Sequence, residues 1–235
     1  MRHPKGLLLG ALLLATSCSS RIGAPEPGTQ EGDDVLGLWR VLFWAAVAVG
    51  GVVVLLIGWC VIRYRARPGD DREPSRTEGH VPLEVAYTLV PLALVGFLFT
   101  YNLLVDREIR EDRAAQVDVD VTGFQWQWRF EYRDQGVTLV GDLGDPPTLV
   151  LPAGRTVTLH LRTADVVHSF FVPGFLVKRD LVPGIVNEIT LRPTRPATYH
   201  GHCAEFCGLE HARMNFDVEV VPAEEFDRWA SRQAA

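Results

Sequence analysis

Between Tyr199 and Phe216 the chain reads YHGHCAEFCGLEHARMNF. Two thiols, Cys203 and Cys207, are followed by an imidazole, His211, and a thioether, Met214, in the pattern Cys-x3-Cys-x3-His-x2-Met. Four side chains so spaced on a loop between strands can face one centre. Structural zinc accepts Cys and His at comparable spacings, but it does not recruit a thioether. Thiolate together with methionine favours copper. Met214 is the only methionine besides Met1. The plain reading of such a residue is a gap-filler in the core, and its place three residues after His211 argues against that reading.

A mononuclear blue-copper site takes one Cys, two His and a weak axial Met. This stretch offers one thiol too many. Two thiolates can bridge two coppers, and each copper then needs its own histidine and a further weak ligand. Met214 is one weak ligand, and a second histidine must come from elsewhere. His160, His168, His200 and His202 are available in the same part of the chain. His160 lies in the alternating run TVTLHLRT, where a strand-face histidine is the plain reading. His200 and His202 adjoin Cys203 too closely to fold back on one centre. His168, in DVVHSFFVPGF, stands where a strand gives way to a Pro-Gly loop, and such loops carry function. His168 is the histidine selected.

These ligands need a stiff support. After Asp106 the hydrophobic pattern takes period two: in QVDVDVTGFQWQWRFEY, Val117, Val119 and Val121 alternate with Asp118, Asp120 and Thr122. The same alternation places Phe124, Trp126 and Trp128 on one face. TLVLPAG, RTVTLHLRT, NEITLRP and NFDVEVV are further short strands bounded by Pro, Gly and Asp. An amphipathic helix is expected only at PAEEFDRWASRQ. Residues 106–235 are therefore expected to form a small antiparallel β-sandwich or barrel.

Ahead of it lie two apolar stretches. Val41 to Ile62 carries no charge, enough to cross a bilayer as a helix. Trp39, Trp44 and Trp59 lie toward its ends, as interface anchors do. The second stretch, LEVAYTLVPLALVGFLFTYNLLV, runs from Leu83 to Val105 with Glu84 as its one charge, and Pro91 is expected to kink it. Arg63, Arg65 and Arg67 place the short loop between the stretches in the cytoplasm. Residues 36–105 thus read as a transmembrane helical hairpin, spans about 39–62 and 83–105, with both termini outside. Cys60, in the first span, reads as a small packing residue. Residues 1–17, with Arg2 and Lys5 before an apolar run, read as a signal peptide. They resemble a bacterial lipoprotein signal, with Cys18 as the lipidated residue; ordinary cleavage nearby is the alternative. Residues 18–35 are polar, contain Pro and Gly, and read as a mobile exported tether.

The chain has 235 residues and a net charge of −6. From Asp106 onward there are 20 acidic and 14 basic residues, so the whole excess sits there. That excludes nucleic acid as a natural partner and suits a basic protein partner. The four cysteines do not form a disulfide framework, since Cys18 and Cys60 each have a separate context.

DVVHSFFVP and KRDLVPG, followed by YHGHCAEFCGLEHARM, resemble the CuA domain of cytochrome c oxidase subunit II. LEVAYTLVP matches that family's E-x-x-[WY]-T-x-x-P signature, and GFQWQWRFEY its aromatic segment; the resemblance runs from about Trp39 to Trp229. It implies a membrane-anchored, all-β, cupredoxin-like domain with two copper ions. The implied ligands are His168, Cys203, Cys207, His211 and Met214, with both cysteines bridging and Glu205 giving its backbone carbonyl. The Glu205 carboxylate would help hold magnesium where the subunit meets the catalytic subunit. Trp126 would be the entry point for electrons, and Glu84 the mouth of a proton path. Phe124 stands where the family often has histidine. Implied partners are subunit I, where heme and copper reduce oxygen with proton translocation, subunit III, and cytochrome c or a membrane-fixed cytochrome as donor. The implied location is the bacterial cell membrane. A copper-free quinol oxidase subunit II would lack some of the cysteines, His211 or Met214, and all are present. The two-span anchor separates the chain from nitrous oxide reductase, and a copper-delivery protein would want a more open site.

Overall fold

The computed structural model describes residues 22–65, 79–109 and 114–234. Cys18, the expected signal peptide and Arg67 lie outside the described residues. The chain divides into two compact units, one of 37–108 and one that joins the segment up to Leu36 with everything from Ile109.

The first unit is helical. Helix α1 spans Gln30–Arg63 and α2 spans Val81–Ile109. Both exceed the roughly 20 residues that cross a bilayer, and the apolar window of each has no residue buried inside the described protein. A helix that is apolar all round and uncovered by protein matches an apolar solvent. Pro91 lies inside the continuous α2. At the start of α2 the Glu84 Oε1 accepts the His80 N–H at 3.0 Å, which satisfies a donor the helix itself leaves open. Cys60 is exposed on α1, like the rest of that span.

The second unit is a two-sheet sandwich. One sheet holds β1 (Val117–Phe124), β2 (Gln127–Tyr132), β3 (Val137–Val140), β5 (Val157–Thr163) and β8 (Asn187–Leu191), in the order β3-β2-β1-β5-β8. The other runs β4-β10-β9-β6-β7, from β4 (Thr148–Pro152), β6 (His168–Val172), β7 (Val177–Leu181), β9 (Ala197–Cys203) and β10 (Asn215–Val221). Each sheet contains one parallel pair, β1 with β5 and β4 with β10, within an otherwise antiparallel set. Period-two alternation builds the core directly. Val119, Val121, Leu159 and Leu161 turn inward from the first sheet and Val218 and Phe216 from the second, each fully buried. Helix α3 (Ala223–Gln233) closes one side with Phe226 and Ala230.

Two expectations change. The run QVDVDVTGFQWQWRFEY is not one strand but the β1–β2 hairpin, turning at Gln125 and Trp126. Trp128 is consequently fully buried while Trp126 sits half-buried in the turn, so they do not share a strand face. The segment read as a mobile tether is also packed from about residue 26. Gly28 N–H donates to the Gly174 carbonyl at 2.8 Å, and Thr194 N–H donates to the Gly28 carbonyl at 2.9 Å. A side chain at Gly28 would collide with the ring of Tyr199, so only glycine lets the backbone come this close. Thr29 Oγ1 caps α1 by accepting from Gly32 N–H at 3.0 Å, and the buried Glu31 carboxylate accepts the Arg192 N–H at 2.9 Å.

Candidate metal centre

Strand register assembles the site. In the second sheet β9 lies between β6 and β10. Its pairing with β6 sets Phe170 opposite Cys203, so His168, two residues along β6, stands beside the point where the chain leaves β9. Its pairing with β10 sets Asn215 opposite His202, and Cys203 N–H donates to the Met214 carbonyl at 3.0 Å. Cys203 and Met214 thus close the base of the loop that carries Cys207 and His211. The His-Cys-Cys group is buried, its ligand atoms all within 4.8 Å of one another.

The five expected donors converge. Cys203 Sγ lies 3.8 Å from Cys207 Sγ and 3.8 Å from His168 Nδ1. Cys207 Sγ lies 3.6 Å from His211 Nδ1 and 3.7 Å from Met214 Sδ. Each thiol has its own imidazole. The Glu205 carbonyl adds an oxygen 3.2 Å from Cys203 Sγ, while the Glu205 carboxylate turns away to Lys178 Nζ at 2.7 Å. Beneath the site, Trp128 meets Phe216 edge-on at 5.0 Å between ring centroids, Phe170 stacks on Phe216 at 4.7 Å, and Trp128 Nε1–H donates to the Met214 carbonyl at 3.4 Å. This aromatic floor excludes water from one side.

Asp165 was not singled out from the sequence, yet it fixes His168. Its Oδ1 lies 2.8 Å from His168 Nε2. An ionised carboxylate only accepts, so Nε2 carries the proton and Nδ1 is left to face Cys203. Burial works against the charge on both partners. At Asp165 it is outweighed by His168 and by the N–H groups of Gln125 and Val166, and the carboxyl sits below its usual range. At His168 it is outweighed by Cys203 and Asp165, which hold the imidazole's pKa up. The thiols diverge. Burial opposes ionisation of Cys203, but the hydrogen bonds to His168, Ser169, Glu205 and His211 bring it down to about 6. At Cys207 burial and then the nearby Cys203 charge push it up to about 12. Two thiols this close oppose each other's ionisation, and metal binding requires both protons to leave.

Trp126 Nε1–H donates to the Cys207 carbonyl at 3.3 Å, and the Gln125 amide donates to the same oxygen at 2.7 Å. The remaining histidines of this domain are engaged away from the site. His160 is held between Asp118 at 2.8 Å and Glu188 at 2.9 Å, His200 pairs with Asp217 at 2.7 Å, and His202 packs edge-on against Phe171. Glu84 belongs to the helical unit. Gln125, Asp165 and Lys178 are the contributors that sequence reasoning missed. Only Asp165 left a signal, as a carboxylate three residues before the selected histidine.

The donor set fits copper: two thiolates, two imidazoles, a thioether and a carbonyl suit its softness, and thioether has no place in structural zinc. A family model described as cytochrome C oxidase subunit II, periplasmic domain, matches residues 117–221. A probable cytochrome c oxidase subunit 2 of Streptomyces avermitilis is 34% identical, covering 92% of this chain and 82% of its own length. Cytochrome c oxidase subunit 2 of Cereibacter sphaeroides is 30% identical, covering 97% of this chain and 92% of its own. Among solved structures, the periplasmic domain of subunit II of cytochrome oxidase (CoxB) of Bradyrhizobium japonicum aligns at 29% identity and a TM-score of 0.48, over 52% of this chain and 95% of that one. The chain that gathers these donors at the end of three strands therefore belongs to the cytochrome c oxidase subunit II family.

Proposed function

We propose that the protein is the electron-entry subunit of a cytochrome c oxidase. It takes electrons from a cytochrome c, soluble or membrane-fixed, and delivers them to the heme-copper subunit I, where oxygen is reduced to water with proton translocation. Subunit III is a further partner. The observation that carries this reading is the meeting of Cys203, Cys207, His168, His211 and Met214 with contacts of 3.6 to 3.8 Å. Two copper ions bound there would supply a one-electron relay. The chain's own part is to hold that set still. His168 and Cys203 stand on paired strands, Met214 is tied through its carbonyl to Cys203 N–H, and Glu205 offers its carbonyl. Donors fixed in this way, above a floor that excludes water, need little rearrangement when charge changes.

Trp126 is the proposed entry point for electrons, and its hydrogen bond to the Cys207 carbonyl supports a short route to a thiolate. The Glu205 carboxylate is the proposed magnesium ligand at the contact with subunit I, and it would have to exchange Lys178 for the ion. Glu84 is the proposed mouth of a proton path, supported by an acid at the end of a membrane helix, a costly placement unless it faces water or protein. The proposed location is the bacterial cell membrane, with two crossings and both termini outside. The docking of residues 26–36 on the β-domain supports an even number of crossings, since chain ahead of α1 and chain after α2 then share one side. Lipidation of Cys18 remains part of the proposal on its signal-like surroundings alone.

The test is electron delivery in the purified oxidase complex. Cys203→Ser is expected to abolish oxidation of reduced cytochrome c while the hemes still accept electrons from a small-molecule reductant. Cytochrome c oxidation at the parent rate would refute the reading.

A further inference from the structure

The donors reach the site on two separate arms. His168 arrives on β6 after the loop that carries Asp165, and Cys207 arrives on the loop between β9 and β10. A third segment, the β1–β2 turn, touches both. Gln125 donates its backbone N–H to Asp165 Oδ2 at 2.7 Å, and the other oxygen of that carboxylate holds His168 Nε2 at 2.8 Å. The Gln125 side-chain amide donates to the Cys207 carbonyl at 2.7 Å. One residue therefore grips Cys207 directly and His168 through Asp165.

The geometry points to Gln125 as a positioning residue that sets the separation of the two arms, and so the shape of the metal centre. The inference rests on the copper reading. Only a donor serves here, because the atom it holds is a carbonyl oxygen, which accepts and never donates. Trp126 Nε1–H reaches the same oxygen at 3.3 Å, the longer of the two bonds. The loop lies flat on the turn. A Cβ at Gly208 would sit 3.1 Å from both Gln125 Nε2 and Trp126 Nε1, and Gly208 has a φ of +126°, which side chains rarely adopt. Gly123, on the same hairpin, leaves room for the His168 ring, 3.2 Å from where its Cβ would be. The β1–β2 turn is thus fitted to both arms at once. Groups behind metal ligands orient them, and their loss weakens metal affinity or activity by about 10- to 100-fold.

Gln125→Leu and Gln125→Glu in the full oxidase complex test this. The first removes the donor at similar volume. The second keeps the length but presents an acceptor to the Cys207 carbonyl. Both variants are expected to release copper to a chelator about 10-fold faster than the parent and to shift the visible thiolate-to-copper bands. In the metal-free chain, alkylation of Cys207 is expected to speed up while that of Cys203 does not, a split that a general loosening of the fold would not produce. If Gln125→Leu fails to assemble, the isosteric Gln125→Glu decides alone. Parent-like copper release and bands in the variants overturn the clamp and leave the copper reading standing. A parent complex without copper overturns the copper reading itself.

Discussion

The two arms of the metal centre are built by different means. The His168–Cys203 arm stands on hydrogen-bonded strands: β6 pairs with β9 at Phe170 and Cys203, His168 is fully buried, and Asp165 locks its ring. The Cys207–His211 arm is a loop. Phe206 and Leu209 on it are 81% and 86% exposed, His211 is only half-buried, and its support is a short 3-10 turn, His211–Arg213, with the β1–β2 turn beside it. The thiols differ as well: hydrogen bonds to His168 and its neighbours outweigh burial at Cys203 and draw it down, while burial and the nearby Cys203 charge push Cys207 up. The strand arm is thus expected to hold whether or not metal is bound, and the tip of the loop arm to depend on it.

The largest expected contrast is between the two histidines. His168→Ala empties a fully buried site and takes from Asp165 the imidazole it holds, so the metal-free chain is expected to lose about 3 kcal/mol. His211→Ala removes a half-buried ring from a loop, and the metal-free chain is expected to change by no more than about 0.5 kcal/mol. Both variants are expected to lose copper. Denaturant unfolding of the metal-free chains in detergent measures the difference, and equal losses would dissolve the distinction between the arms. Removal of copper from the parent is the gentler probe. Amide hydrogen exchange is expected to rise across 204–213 and to stay slow across 168–172, because the second segment keeps its strand partners on both sides. A uniform rise across both segments would mean that metal holds the strand arm as well.

The same division explains what was legible in the sequence. Cys203, Cys207, His211 and Met214 announce themselves because their spacing is local and their chemistry shared. His168 was legible at one remove, although it opens β6 and the Pro-Gly turn follows the other end of that strand. Gln125 was not, because it acts through orientation across chain segments that no spacing reveals; Asp165 left only its place three residues before His168, which does not tell a ring-orienting carboxylate from a solvated one. The hairpin hidden in VTGFQWQWRF defeated the alternation argument for a definite reason. Its turn at Gln125 and Trp126 carries none of the Gly, Pro, Asn or Asp signals that mark a reversal, so Trp126 and Trp128 read as one face. The docked residues 26–36 were misread because Pro, Gly and polar residues compose a loose tether and a close-packed strap alike. The two-sheet class followed from period-two patterning, while the parallel pairs β1 with β5 and β4 with β10 depend on long crossovers and stayed out of reach.

The most direct measurement is a metal count on the full chain, purified in detergent, together with its visible spectrum. Two coppers per chain with intense thiolate-to-copper bands are the predicted result, since each thiol has an imidazole beside it and Met214 and the Glu205 carbonyl would supply the weak ligands. One tightly held zinc with no colour would contradict it.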